Sequence, residues 1–256
     1  MSSLFRTQAL SAIPCCEHAL FTCNIPGSAN LYISKKRPYS EIKEQVEVSR
    51  TAAMQVLGYK NESLAILKQV HGTDVITVKE LWDVAESPEA DAMVTDKPGI
   101  MLGILTADCV PVLLADKTTP VVGIAHAGWK GALAGVLDNV VVAMEMLGSK
   151  REDIIAVIGA CIHQKSYEVG EEFYETYLEK TVENKQFFIP SIRTGHYMFD
   201  LPGYSVMRLK GVGIGTIENI GMDTCADEAN FFSYRRATLR GEPYERNNLS
   251  VIGMRG

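Results

Sequence analysis

At 256 residues, with 46% hydrophobic and 22% charged residues, the chain has the composition of a globular protein with ample length for a sizeable core. No apolar run reaches membrane-spanning length, and a formal charge of −6 with a pI near 5.5 argues against a binder of duplex nucleic acid, whose phosphates need a basic surface. A small-molecule ligand is therefore favoured over nucleic acid or a membrane.

In the N-terminal stretch MSSLFRTQALSAIPCCEHALF, Gln8, Ser11 and Pro14 interrupt any signal-peptide core, so neither cleavage nor export is expected. Cys15, Cys16, Cys23, Cys109, Cys161 and Cys225 are spaced too irregularly for a disulfide framework and fit a reducing cytoplasm. The basic stretch SKKRPY (34–39) reads as a solvated loop. Residues 41–57 predict a helix, followed by a strand LAILKQV (64–70), a turn at His71 and Gly72, and a strand DVITV (74–78) that places His71 at an edge.

IMLGIL (100–105), VPVLLAD (110–116) and VVGIAH (121–126) read as buried neighbouring strands separated by TADC and KTTP. GALAGVLDNVVVAMEMLG (131–148) puts Leu133, Leu137, Val140, Met144 and Leu147 on one helical stripe, with Gly148 where the helix stops. A strand IIAVIGA (154–160), a helix around EEFYETYL, an irregular stretch over 180–196 and a strand YMFDL follow. Strands GTIENI (215–220) and LSVIGM (249–254) flank a polar and aromatic turn region, CADEANFFSYRR. With no repeat, linker or composition break, the expectation is one α/β (mixed α+β) domain over residues 1–256, a mixed β-sheet core flanked by helices.

Three segments end in groups that bind metals: QVHG with His71, TADCVP with Cys109 and IAHAGWKG with His126. Spacings of 38 and 17 positions are too long for a local finger, so strand ends on one rim would have to bring them together. Two neutral imidazoles and a thiolate make the three-ligand set of a catalytic zinc, whose fourth position takes water or substrate. Pro111 disfavours helix at Val110 and fixes a sharp entry to the strand, which holds Cys109 at the rim. Taken singly, each of the three has a structural alternative: a satisfied core or surface histidine, or a buried inert thiol.

The stretches QVHGTDV, ADAMVTDKPGIMLGILTADCVPVLLAD, GIAHAGWKGALAGVL, SYEVG and FFSYRR, between residues 64 and 236, resemble the YfiH family, also called the laccase-domain or polyphenol oxidoreductase family. The resemblance implies one α/β domain related in fold to the catalytic domain of cytotoxic necrotizing factor, with His71, Cys109 and His126 as zinc ligands and as catalytic residues. It also implies activity on purine nucleosides: phosphorolysis of adenosine, inosine, guanosine and methylthioadenosine, and deamination of adenosine. The chain departs from the family pattern at CNIPGSANLYISKKRPYS and at GACIHQKSYEVG, which bears on substrate range more than on the metal site, and at GYSVMRL, which bears on the C-terminal wall of the pocket.

Beside the ligands, Asp108 is the candidate to move a proton during deamination, its alternative being a turn-capping carboxylate. For phosphorolysis, Lys130, the glycines of HAGWKG including Gly128, and Arg235 or Arg236 are candidate donors to the phosphate anion, the alternative for either arginine being a structural ion-pair partner, the reading favoured for Arg235. Cys161 and His163 read as neighbours on one strand face rather than a metal pair. GVGIG (211–215) precedes no clear helix and does not predict a dinucleotide fold. Tyr167 and Glu168 fit pocket lining or turn support equally well.

Other readings stay open from these residues. A copper-binding, laccase-like polyphenol oxidase would use the same ligands, and copper would bind such a site in vitro. Only five histidines and no His-x-His pair are present, too few for a trinuclear copper cluster. A cysteine-type hydrolase or editing factor acting on peptidoglycan precursors would use Cys109 and His126 as nucleophile and base. A metal-binding protein without turnover is the third alternative. The second histidine, His71, favours a metal over a dyad.

Overall fold

The computed structural model describes residues 2–25, 39–244 and 246–256. Residues 34–38 of the basic stretch, and most of CNIPGSANLYISKKRPYS, lie outside them. The chain opens with β1 (Leu4–Phe5), the short helix α1 (Gln8–Ser11) and β2 (Cys16–Phe21), then α2 (Tyr39–Val56), β3 (Leu64–Ile66), β4 (Val75–Thr77), β5 (Ala92–Thr95) and β6 (Met101–Thr106). A hairpin of β7 (Val110–Asp116) and β8 (Val122–Ala127) leads into α3 (Trp129–Ala134), α4 (Val136–Met146) and β9 (Ile154–Ile158). There follow β10 (Glu168–Gly170), α5 (Glu171–Leu178), β11 (Phe188–Pro190), β12 (His196–Phe199), α6 (Leu201–Gly211), β13 (Thr216–Asn219), α7 (Tyr234–Arg240) and β14 (Asn248–Met254).

The strands form a five-stranded sheet in the order β1-β2-β14-β6-β3, a six-stranded sheet β13-β9-β7-β8-β5-β4, and a small sheet β10-β12-β11. Both large sheets mix parallel and antiparallel pairs. The period-2 alternation of β7 shows how they stack. Leu113 and Ala115 join Leu20, Ala65, Leu102, Ile104 and Ile252 in a core between the two sheets. Val112 and Leu114 point the other way, onto Leu137, Val140, Met144 and Leu209 of α4 and α6. Phe21, Ile66 and Val251 on the outer face of the five-stranded sheet meet Ala53 and Met54 of α2. The result is a mixed α/β fold in four layers: helix, sheet, sheet, helix.

β7 is buried along its whole length, which explains why it reads as a continuous apolar run rather than an alternating one. Removing Val112, Leu113 and Leu114 from water contributes roughly 1.5–3 kcal/mol each. Cys109 and His126 therefore sit at one end of a stiff hairpin.

The structure corrects the expected neighbourhood of β6. It pairs with β14 and β3 in one sheet, whereas β7 and β8 belong to the other. The chain crosses between sheets at Ala107–Asp108, with Asp108 at φ +90. It also crosses between β3 and β4, with His71 at φ +61. Outside glycine, this left-handed region is uncommon and strained, and its recurrence at both crossings marks one rim of the sandwich.

The helix expected over 131–148 is two helices. Gly135, at φ +112, ends α3, and the guanidinium of Arg208 donates to the freed carbonyls of Ala132 and Leu133, each at 3.0 Å. The predicted stripe is otherwise observed: Leu133, Leu137, Val140 and Met144 are buried and Gly148 follows at φ +101. Leu201, expected at a strand end, begins α6 instead. Asp200 caps that helix by accepting from Gly203 N–H at 2.9 Å, and Pro202 occupies its first turn. Part of the FFSYRR turn region is likewise helical, α7 being capped by Ser233 Oγ, which accepts from Arg236 N–H at 3.1 Å.

Candidate metal and catalytic site

His71, Cys109 and His126 converge although they lie on three different segments. Cys109 immediately precedes β7 and His126 lies near the end of antiparallel β8, opposite Pro111, so both stand on the same rim. His71 arrives from the β3–β4 crossing, which Gln69 ties to β6 through paired bonds with the Leu105 backbone at 2.8 and 2.9 Å. One donor atom from each of the three lies within 4.8 Å of the others. Cys109 Sγ is 3.9 Å from His71 Nε2, and the two imidazoles meet edge to face with centroids 4.7 Å apart. His126 is buried, Cys109 half-buried and His71 exposed, so the cluster opens to solvent on one side.

Asp91, just before β5 and wholly buried, organises the set. Its Oδ1 lies 2.7 Å from His126 Nδ1 and accepts from His71 N–H at 3.0 Å, while Oδ2 accepts from Gly72 N–H at 2.6 Å and Val70 N–H at 3.2 Å. With its Nδ1–H donating to Asp91, His126 turns Nε2 toward the cluster, the usual outer-shell device behind a metal-ligating histidine. The same carboxylate holds the strained turn that presents His71. Burial raises the pKa of the Cys109 thiol, but the charge of His126 and hydrogen bonds to both imidazoles outweigh it and bring the thiol down to about 6. For His126, burial acts downward and is overcome by the Cys109 charge and the Asp91 bond, which push it up to about 9. The pair thus favours a thiolate, the form that binds metals.

Gly128, which opens α3, leaves room for these ligands. A Cβ there would lie 2.7 Å from His71 Cδ2 and 3.1 Å from Cys109 Sγ. Gly131 similarly admits the Gly72 carbonyl, which a Cβ would meet at 2.8 Å. Two nitrogens and a soft sulfur, correctly presented and open on one side, fit a single zinc or copper ion. The other histidines do not enlarge the set: His18 Nε2 accepts from Thr7 N–H, and His196 Nδ1 lies 3.1 Å from the Thr194 carbonyl. Cys161 and His163 do not join the cluster either.

A family model described as multi-copper polyphenol oxidoreductase laccase matches residues 28–248. A Rickettsia conorii protein named purine nucleoside phosphorylase is 40% identical, covering 93% of this chain and 96% of its own. The Shigella flexneri purine nucleoside phosphorylase YfiH is 36% identical over 68% of this chain and 69% of its own. The chain belongs to the YfiH family. Among solved structures, YlmD of Geobacillus stearothermophilus superposes with a TM-score of 0.85 at 25% identity, covering 100% of this chain and 97% of that one.

Around this YfiH-family cluster, Asp108 is buried and its carboxylate is occupied. Oδ1 accepts from the Thr224 hydroxyl at 2.7 Å and Oδ2 from Arg235 N–H, in the first turn of α7, at 2.6 Å. Lys130 is exposed, its Nζ 5.4 Å from the centroid of the Trp129 ring. Arg236, expected to serve the anion, donates instead to the carbonyls of Thr224, Cys225 and Phe231 and is only 14% exposed. Arg235, expected to be structural, makes one such bond, to the Glu168 carbonyl at 2.8 Å, and lies 5.3 Å over the Tyr167 ring. Tyr167 in turn feels the charges of Cys109 and Asp108, and its burial is the main cause that raises its phenol well above the ordinary range. Glu168 turns away, to Ser191 and Arg193. No described helix is long and apolar enough to cross a membrane.

Asp91 is the residue that reading the sequence missed. Asp91 carries a signal: an acid opening the wholly buried strand AMVT needs a specific partner.

Proposed function

We propose that this chain is a zinc-dependent purine nucleoside phosphorylase that also deaminates adenosine, with His71, Cys109 and His126 holding the ion. The observation that carries the reading is the convergence of these three donors behind Asp91, in a family whose relatives are named purine nucleoside phosphorylases. When bound, zinc supplies Lewis acidity at the open side of the cluster.

This chain's own residues do the rest. Asp91 fixes the His126 tautomer and the His71 turn. Gly128 keeps the floor thin enough for substrate to approach the ligands. Lys130 and Arg235 are the cations available to phosphate, because the Arg236 guanidinium is already bonded to three carbonyl oxygens. Asp108 acts chiefly by joining Cys109 to the start of α7. Adenosine, inosine, guanosine and methylthioadenosine are the proposed substrates, and residues 1–256 form one catalytic unit, a reading supported by the pairing of β2 with β14.

A copper polyphenol oxidase is less well supported, since only two histidines join the cluster. A metal-free cysteine hydrolase acting on peptidoglycan precursors leaves His71 without a task. The deciding experiment is chromatography of adenosine incubated with zinc-loaded wild type and with Cys109→Ala, each with and without phosphate. Adenine appearing only with wild type and phosphate is the expected result, and inosine without phosphate reports deamination. If neither product exceeds the Cys109→Ala background while zinc is bound, the reading fails.

A further inference from the structure

The opposite end of the sandwich carries a polar cavity of about 270 Å³, lined by Arg6, residues 11–18 and Arg255. β14 connects the two ends. Its first residue, Asn248, pairs with Thr106 beside the metal-ligand rim, and Met254 pairs with Cys16 beside this cavity. Six strand steps separate the two, about 20 Å. The cavity is therefore separate from the cluster of His71, Cys109 and His126.

Glu17 is the organising group. Its side chain is only 3% exposed, so its charge needs partners. Arg6 Nη2 binds Oε1, and Arg255 binds Oε2 through Nη2 and, at 3.0 Å, through Nε. Both carboxylate oxygens are thus covered by cations. Two guanidiniums against one carboxylate leave one net positive charge, in a chain whose formal charge is −6. Arg6 and Arg255 stay 43% and 62% exposed, and the N–H groups of Arg6 Nε and Nη1 and Arg255 Nη1 have no protein partner among the described residues.

Two further donors line the cavity. His18 is 1% exposed, and its Nε2 accepts from Thr7 N–H at 2.9 Å, so the ring proton resides on Nδ1, which has no hydrogen-bond partner among the described residues. Burial, and then Arg6, hold this imidazole down at about 4, so it is neutral at physiological pH and keeps that tautomer. Cys15 sits at φ +60 after Pro14, in a turn closed by Cys16 N–H donating to the Ile13 carbonyl at 3.2 Å. Its own N–H is left without a protein acceptor among the described residues.

We infer that this cavity binds a small phosphate-type oxyanion, as inorganic phosphate or as the phosphate of a small monoester, through Arg6, Arg255, His18 Nδ1–H and the Cys15 N–H. Planar guanidinium forks held in place by a buried carboxylate present paired N–H donors to the oxygens of a tetrahedral phosphate, and the volume lies below that of ordinary drug-sized pockets, roughly 300–1,000 Å³. The site does not depend on the proposed catalytic role.

The test is isothermal titration calorimetry at constant ionic strength with inorganic phosphate and, separately, with glycerol phosphate, using wild type and Cys109→Ala so that turnover does not contribute. Ser11→Glu adds a carboxylate at an exposed lining position without touching the core. Arg6→Gln combined with Glu17→Gln removes a charge pair together and avoids stranding a buried carboxylate. Saturable binding that survives Cys109→Ala and weakens at least tenfold in Ser11→Glu and in the double variant is the expected result. Tighter binding of glycerol phosphate identifies a monoester as the ligand, and binding of inorganic phosphate alone identifies the free anion. Absence of binding to either probe, or binding unchanged in Ser11→Glu, overturns the inference.

Discussion

The Asp91 carboxylate lies 2.7 Å from His126 Nδ1 and also accepts the N–H of His71, so one buried acid sets the orientation of two imidazoles on different segments. Asp91→Asn keeps the shape but loses the charge that makes His126 a strong donor. Metal affinity is expected to fall by about 10–100-fold, with kcat/KM following it. Competition against a chelator of known affinity measures the first and steady-state kinetics the second. Unchanged metal affinity would remove Asp91 from the site's support.

Gly128→Ala tests the packing over the ligands. The added methyl would meet His71 Cδ2 at 2.7 Å and Cys109 Sγ at 3.1 Å, and neither can retreat without leaving the donor set. The site lies on a rim rather than in the inter-sheet core, so global stability changes by less than about 1 kcal/mol while metal affinity falls at least tenfold, a drop of about 1.4 kcal/mol. Thermal unfolding and metal titration on the same preparation separate the two effects.

Much of this was legible from local chemistry. The runs that became β7 and β8 are apolar and bounded by turn residues, and His71, Cys109 and His126 interrupt such runs at their ends. What was not legible is non-local. Nothing in IMLGIL says that β6 pairs with β14 and leaves β7 to another sheet, because partner choice depends on the two left-handed crossings at His71 and Asp108. Pro202 and Gly203 look like breakers although they begin α6, where Asp200 supplies the cap. Gly135, in contrast, sits within an unbroken apolar stripe, and periodicity carried the predicted helix straight through it.

Gly135→Ala tests that break directly. The residue stands at φ +112, where a side chain is strained, and a Cβ would approach Arg208 Nη2 at 3.3 Å, disturbing the guanidinium that caps α3. A loss of about 1–2 kcal/mol is expected from the backbone alone. Denaturant unfolding should show it as a shift of midpoint with unchanged slope. A neutral outcome would mean that α3 and α4 tolerate a continuous helix.

Asp108 separates anchoring from proton transfer. Both of its oxygens are engaged, by Thr224 and by Arg235 N–H. Thr224→Val removes one of these bonds and leaves the carboxylate in place. If Asp108 is an anchor, Thr224→Val and Asp108→Asn both lower stability, by about 1–3 kcal/mol, and reduce kcat without altering the pH profile. A pH–rate limb that disappears in Asp108→Asn and persists in Thr224→Val would instead assign it the proton.

His18 predicts a distinct acid sensitivity. Burial first, and then the neighbouring Arg6, lower its pKa from 6.5 to about 4 in the fold, so between those values the unfolded chain binds a proton that the folded chain does not. Stability therefore rises with pH across this window: the contribution is complete above 6.5 and is lost progressively as pH falls to about 4. At 1.36 kcal/mol per pKa unit the loss is roughly 3 kcal/mol. His18→Gln retains an acceptor for Thr7 N–H but cannot be protonated. Urea unfolding of wild type and His18→Gln at pH 7 and pH 4.5 should show a smaller decline in the variant. Parallel declines in both proteins would show that His18 is not the group that titrates.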